Sequence, residues 1–250
     1  MDTEPVPVRD LSPIGRREAF GLALTENARM VALLAALDES DWTRPTCCSD
    51  WDVRSLASHT LAMMEAAASP REFVHVFRAG AKAAGERPRI DGMTQVQVAE
   101  RTHLTSKDIV EAMADTAPRS ARARYRLAAP LRYLPMPEEV DGVRETWRLG
   151  YLFDVILTRD TWMHRLDVCL ATGREPDLTP EHDGRIVADV VAEWARRHGR
   201  PFHLTLEGPA GGVYAQGDGG ETITAEAAEF CRVLSGRGRG AGLMAGRVPF

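Results

Sequence analysis

The stretch RDTWMHRLDV, Arg159–Val168, follows the nearly all-apolar run Tyr151–Leu157 and stands in the middle of the longest helical pattern in the chain. Helical spacing puts Asp160 and His164 four residues apart, one turn above the other. Phe153, Ile156 and Ala171 fall on the same stripe, with Asp167 on its edge. A carboxylate and an imidazole on a stripe that a helix buries need an explanation. On a surface such a pair stabilises a helix by only about 0.2–0.5 kcal/mol. In a bundle interior, an i, i+4 pair of ligand-type side chains offers two arms to one metal ion.

A third arm comes from WDVRSLASHT, Trp51–Thr60. His59 follows Leu56 by three residues and precedes Met63 by four, so it belongs to the apolar stripe of its own helix. A lone histidine there reads as a satisfied core residue. Two histidines and a carboxylate on the inward stripes of two helices have the composition of a catalytic zinc site, three N/O ligands with a fourth position open.

The rest of the pattern supplies the bundle. A first helix is expected from about Ile14 to Asp38, carried by Phe20, Leu22, Leu24, Ala28, Val31, Leu34 and Leu37. DESDWTRPTCCSDW breaks it with turn formers and a proline. The second helix starts behind Asp52 as N-cap and ends or kinks at Pro70. A short helix over 71–84, the loop GERPRIDG and a helical piece from Met93 follow, then a main helix capped by Ser106 with Pro118 as a kink. AAPLRYLPMPEEVDG, with three prolines, reads as irregular, and the long helix should run from about Arg144 to Ala171 and stop at Gly173.

Beyond Pro176 the character changes. TPEHDGRIVADVVAEWARRHGRP reads as a helix, FHLTLEG alternates as a half-buried strand, GGVYAQGDGGETITA as two short strands, and AEAAEFCRVLSGRG as a closing helix. The expected class is therefore α with a small α+β part: a four-helix bundle over residues 1–173 and a small α+β domain over 174–250.

Bulk properties exclude other classes. The 250 residues are 44% hydrophobic and 27% charged, the balance of an ordinary globular protein. A net charge of −5 gives no electrostatic case for nucleic acid or an anionic membrane. MDTEPVPVRDLSP is acidic and proline-broken, unlike a signal peptide, and no run of about 18 apolar residues suggests a span. The expected location is the cytoplasm, as monomer or homodimer. Cys47, Cys48, Cys169 and Cys231 lack CxxC spacing and default to free thiols. GPAGGVYAQGDGG lacks the Gly-Lys-Ser/Thr of a phosphate loop. His75, His103, His182, His198 and His203 have no partner at ligand spacing, and Met63 and Met64 read as core filler.

Trp42, Pro45, Thr46, Trp51, Val53, Leu56 and His59, followed by the acidic-xxx-HRxD run Asp160, His164, Arg165 and Asp167, resemble the two motifs of the mycothiol-dependent maleylpyruvate isomerase family, within the wider DinB-like metal-binding bundles. The resemblance spans nearly the whole chain, and the tail with Gly236 and Arg237 resembles the sterol-carrier-like domain of many members. It implies Zn2+ or another divalent metal on His59, Asp160 and His164, and mycothiol, a low-molecular-weight thiol of actinobacteria, as cosubstrate. The isomerases carry glutamate where this chain has the shorter Asp160. The implied activity is isomerisation or thiol transfer on a small electrophile through a metal-held thiolate. Arg237 is the candidate for a substrate carboxylate, with Arg239 or Arg232 as alternatives. Two other readings stay open: a metal-stabilised binding module for an apolar ligand or partner, and a zinc hydrolase with Asp167 or Glu65 as base.

Overall fold

The computed structural model describes residues 4–48 and 50–250; Met1–Thr3 of the N-terminal segment read above, and Ser49, lie outside the described residues. The chain divides into two compact units. One comprises Gly15–Glu139 and Arg144–Glu175; the other comprises Pro176–Phe250 with the N-terminal residues through Ile14 and the turn Val140–Val143.

The first unit is a four-helix bundle of α1 (Arg16–Ala35), α2 (Val53–Ala68), α5 (Ser106–Arg126) and α8 (Leu157–Thr172). Helices α2 and α1 each pack on both α5 and α8, so the four close a ring. Met30 and Leu34 of α1, Leu56 and Leu61 of α2, Ile109 and Met113 of α5 and Val168 of α8 fill one core, all at most 1% exposed. Asp52 caps α2 as its sequence suggests, its Oδ1 accepting from the Ser55 backbone N–H at 2.8 Å. The cap of α5 falls one residue earlier than read: Thr105, not Ser106, accepts from the Asp108 N–H, while Asp108 accepts from the Thr105 N–H, a reciprocal capping box. Helix α2 ends just before Pro70, with Ser69 extended ahead of it, and Pro70 also opens the next helix, with Ser69 as its N-cap.

Two further helices, α3 (Pro70–Ala84) and α4 (Arg89–Ala99), form a hairpin beside α2. Their crossing is set by glycines. A Cβ on Gly92 would lie 2.1 Å from Gly80 O, and one on Gly80 would lie 2.4 Å from Met93 Cγ. Helix α4 starts at Arg89 rather than Met93, directly after Pro88, with Asp91 in its first turn and the helix-disfavouring Gly92 kept for its close packing on α3.

The region read as irregular is ordered. A short helix α6 (Ala129–Arg132) precedes a hairpin of β2 (Pro135–Val140) and β3 (Val143–Arg148). Its two-residue turn is Asp141-Gly142, both at positive φ, which tight hairpin turns demand. The long helix therefore does not begin at Arg144: residues 144–148 are strand, and helix starts with α7 (Leu149–Tyr151). A π-turn over Leu152–Ile156 joins α7 to α8. It is held from outside: buried Arg124 of α5 donates through Nε to Phe153 O at 2.6 Å and through Nη2 to Thr158 Oγ1 at 2.6 Å, and Arg132 pairs with the Asp154 carboxylate. Gly173, at φ 70°, ends α8 as expected.

In the second unit β4 (Phe202–Glu207) pairs antiparallel with β5 (Gly212–Gln216) and parallel with β6 (Glu221–Glu226), alongside α9 (Asp183–His198) and α10 (Ala227–Leu234). Phe202, Leu204 and Leu206 point inward on alternate residues. Trp194 of α9 packs on Phe202 and Phe230 and donates its indole N–H to Leu243 O. One strand was not anticipated: β1 (Val6–Pro7) pairs parallel with β5 at the sheet edge. A two-residue edge strand tolerates the prolines that hid it, since its outer side needs no ladder donor. No helix among the described residues is long and apolar enough to cross a membrane.

Candidate metal centre

Helices α2 and α8 bring the three residues singled out by spacing to one point. His59 Nε2 lies 3.6 Å and His164 Nε2 3.5 Å from the same Asp160 oxygen, Oδ1. The two imidazoles meet edge to face, with centroids 5.1 Å apart. For a tetrahedral ion about 2.0–2.1 Å from each donor, ligand atoms stand roughly 3.4 Å apart. The two separations from Asp160 Oδ1 match that, and all three ligand-type atoms lie within 4.8 Å of one another.

Each imidazole is aimed by a second residue. His59 Nδ1 lies 2.9 Å from Gln97 Oε1, and Gln97 in turn donates through Nε2 to Met63 Sδ at 3.0 Å. His164 Nδ1 lies 3.1 Å from Asp167 Oδ2. With Nδ1–H donated outward, both rings present an Nε2 lone pair to the centre, the tautomer a metal requires. Trp51 lies over both rings, 5.0 Å from His59 and 6.2 Å from His164. Asp167 Oδ1 accepts from the Cys47 thiol at 2.9 Å.

Electrostatics favour a cation here. Burial alone would raise the Asp160 carboxyl, but His164 and His59 outweigh it and hold the group well below the usual carboxylate range. Burial opposes charge on His164 as well, and Asp160 and Asp167 reverse that, raising it to about 9. In the metal-free protein a proton thus sits where a cation would be welcome. Asp160 Oδ2 is buried without a hydrogen-bond partner, an arrangement that costs free energy unless something else satisfies it. Two neutral nitrogens, one carboxylate and an unsatisfied oxygen fit a divalent ion of the zinc type.

Other candidates fall elsewhere. Glu65 pairs with Arg101, and both line a polar cavity of about 320 Å3 with Ser69, Glu72, Thr116 and Arg119; none of the three ligand-type residues borders it. Asp167 is engaged with His164 Nδ1. Arg237 follows α10 in the second unit, half-buried, its backbone N–H bonded to Arg232 O, and Arg232 pairs with Glu229. His75, read as partnerless, lies 2.9 Å from Glu100 and groups with Glu72 on the α3–α4 hairpin. Sequence spacing could not reveal that pair, because 25 residues and a helix reversal separate its members. Gln97 and Cys47 carried no signal of their own, and Asp167 was visible only as the edge of a stripe.

No curated protein sequence matches the chain. Two solved structures share its fold, that of the mycothiol-dependent maleylpyruvate isomerase and that of its histidine-to-alanine mutant. Each is 16% identical, covers 93% of this chain and 92% of the other, and has a TM-score of 0.58. The model of the mycothiol maleylpyruvate isomerase N-terminal domain matches residues 23–169, which hold most of the bundle and all three residues of the centre. The chain belongs to that family, which is named for an enzyme.

Proposed function

We propose that the protein is a metal-dependent, mycothiol-using isomerase or thiol transferase acting on a small electrophile. The observation that carries this is the convergence of His59 Nε2, His164 Nε2 and Asp160, with both Nδ1 atoms anchored and Asp160 Oδ2 left unsatisfied. A divalent ion such as Zn2+, when bound, lowers the pKa of a thiol so that it is present as the nucleophilic thiolate near neutral pH.

The chain's own residues do the rest. Asp160 brings a single negative charge among two neutral imidazoles, so a divalent centre keeps one net positive charge and attracts one anion. Gln97 and Asp167 fix the ring planes, and Trp51 covers both rings and shields that side from water. Arg237 is the proposed partner of a substrate carboxylate, as a guanidinium pairs with it in bidentate fashion. The unit ending in Phe250 is proposed as the sterol-carrier-like domain, its range of 174–250 widened by the N-terminal strand.

Metal analysis of protein purified without chelator should find close to one equivalent, and His164→Ala should lose it. Mycothiol should bind the metal-loaded protein and not the metal-free protein, and should be required for turnover of maleylpyruvate or of another small electrophile. Arg237→Ala should raise KM for an anionic substrate with metal content unchanged. Full metal occupancy in His164→Ala, or turnover indifferent to the thiol, would overturn the reading.

A further inference from the structure

Cys47 stands in a tight loop between α1 and α2. Thr46 N–H and its hydroxyl both donate to Trp51 O, at 2.9 and 2.8 Å, and Trp51 N–H donates to Cys48 O at 2.8 Å. Pro45 and Asp52 pair across the base of the loop. Cys47 and Trp51 are therefore parts of one braced piece, and that piece meets the candidate centre twice. Trp51 lies over the two histidines. The Cys47 thiol donates to Asp167 Oδ1 at 2.9 Å, while Asp167 Oδ2 accepts from His164 Nδ1 at 3.1 Å. The Asp167 side chain is 0% exposed, so removing a donor from it leaves a buried carboxylate short of compensation. Cys47 itself is exposed, whereas Cys48 is half-buried and Cys169 and Cys231 are buried.

We propose that Cys47 is a positioning residue of the metal centre, acting on His164 through Asp167, and that thiol modification of Cys47 loosens the ion. The inference rests on the reading of His59, Asp160 and His164 as ligands. The reagent is a small disulfide, the oxidised form of a low-molecular-weight thiol. Cys47, as thiolate, attacks one of its sulfurs; a new S–S bond forms, the old one breaks, and the departing thiolate takes up the proton that Cys47 gave up. The modified sulfur has no hydrogen to donate, so Asp167 loses a donor and holds His164 less firmly. A centre that uses a thiol is thereby made sensitive to the oxidised form of such thiols.

The test measures metal affinity on the full chain by competition with a chromophoric chelator, with circular dichroism to confirm folding. Cys47→Ser keeps a hydroxyl donor and should stay within a few-fold of wild type. Cys47→Ala should bind metal about 10- to 100-fold more weakly, the usual consequence of removing an outer-shell partner. In a Cys48→Ser background, methyl methanethiosulfonate should cap Cys47, expelling methanesulfinate, and reproduce the loss; dithiothreitol should restore affinity. Should Cys47→Ala not fold, the capping arm decides alone. If wild type binds no metal, the centre itself is misread. If wild type binds metal and neither Cys47→Ala nor the capped protein differs from it, the role of Cys47 is refuted.

Discussion

Gly92→Ala tests whether packing far from the centre aims its ligands. A Cβ at Gly92 would lie 2.1 Å from Gly80 O, 2.4 Å from Ala84 N and 2.8 Å from Ala84 Cα. All three are backbone atoms, so no side chain can swing away, and the helices must part by about 1 Å to restore van der Waals contact. Overpacking of this kind costs about 1–3 kcal/mol, and backbone contact belongs at the upper end. Against this, replacing glycine by alanine inside a helix stabilises it by about 1 kcal/mol. The net expectation is a loss of about 2 kcal/mol, which for a chain of this size lowers Tm by roughly 4–8 °C.

The same shift reaches the centre. Gln97 lies on α4 five residues beyond Gly92, and its 2.9 Å bond to His59 does not survive a retreat of about 1 Å by that helix. Metal affinity should then fall about tenfold or more, as for loss of an outer-shell partner. Gly21→Ala in α1 is the control, because a Cβ there meets nothing within 4 Å and the substitution should be neutral or stabilising. Thermal unfolding of both variants without metal, followed by chelator competition, gives both readouts. A Gly92→Ala protein as stable as Gly21→Ala would refute the close crossing of α3 and α4. One that is destabilised yet binds metal normally would place the shift in α3 and deny α4 its positioning role.

Other perturbations follow from the same geometry. Asp167→Asn removes the charged acceptor of His164 Nδ1 and should weaken metal binding about 10- to 100-fold in the same competition assay, with little change in Tm. Because Asp160 and Asp167 raise His164 to about 9, proton and metal compete: apparent affinity should climb about tenfold per pH unit between about pH 7 and 8.5, with close to one proton released per ion. Calorimetry in buffers of different ionisation enthalpy counts that proton, and a flat pH profile would contradict the shift. Arg124→Met leaves Phe153 O of the π-turn without its guanidinium donor; urea unfolding should show a loss of about 1–3 kcal/mol, and an unchanged midpoint would deny the clasp a role.

What the sequence made legible divides along a physical line. Asp160, His164 and His59 were visible because ligands on one helix face keep a fixed spacing, and because a polar residue on an apolar stripe contradicts its surroundings. Gln97, Cys47 and the His75–Glu100 pair were not, since each acts across a helix reversal or a loop whose path spacing does not encode. The hairpin of β2 and β3 is a different case. Asp141-Gly142 is a strong turn signal, but the prolines around it and the apolar run after it drew the segment into loop and helix. The π-turn had no signature, as an extra residue per turn changes the phase without changing the composition.

That phase shift bears on where the candidate centre lies along α8. Residues before Leu152 and after Ile156 do not share one α-helical register, so the stripe read from Phe153 through His164 is broken at the π-turn. Asp160 and His164 both lie beyond it, and their i, i+4 relation is intact. The π-turn is clasped on one side by Arg124 and on the other by Arg132, two cations whose desolvation is costly and which a plain α-helix would not need there. The short Asp160 side chain places one oxygen 3.5–3.6 Å from both imidazole nitrogens, a separation suited to a shared ion with no longer arm.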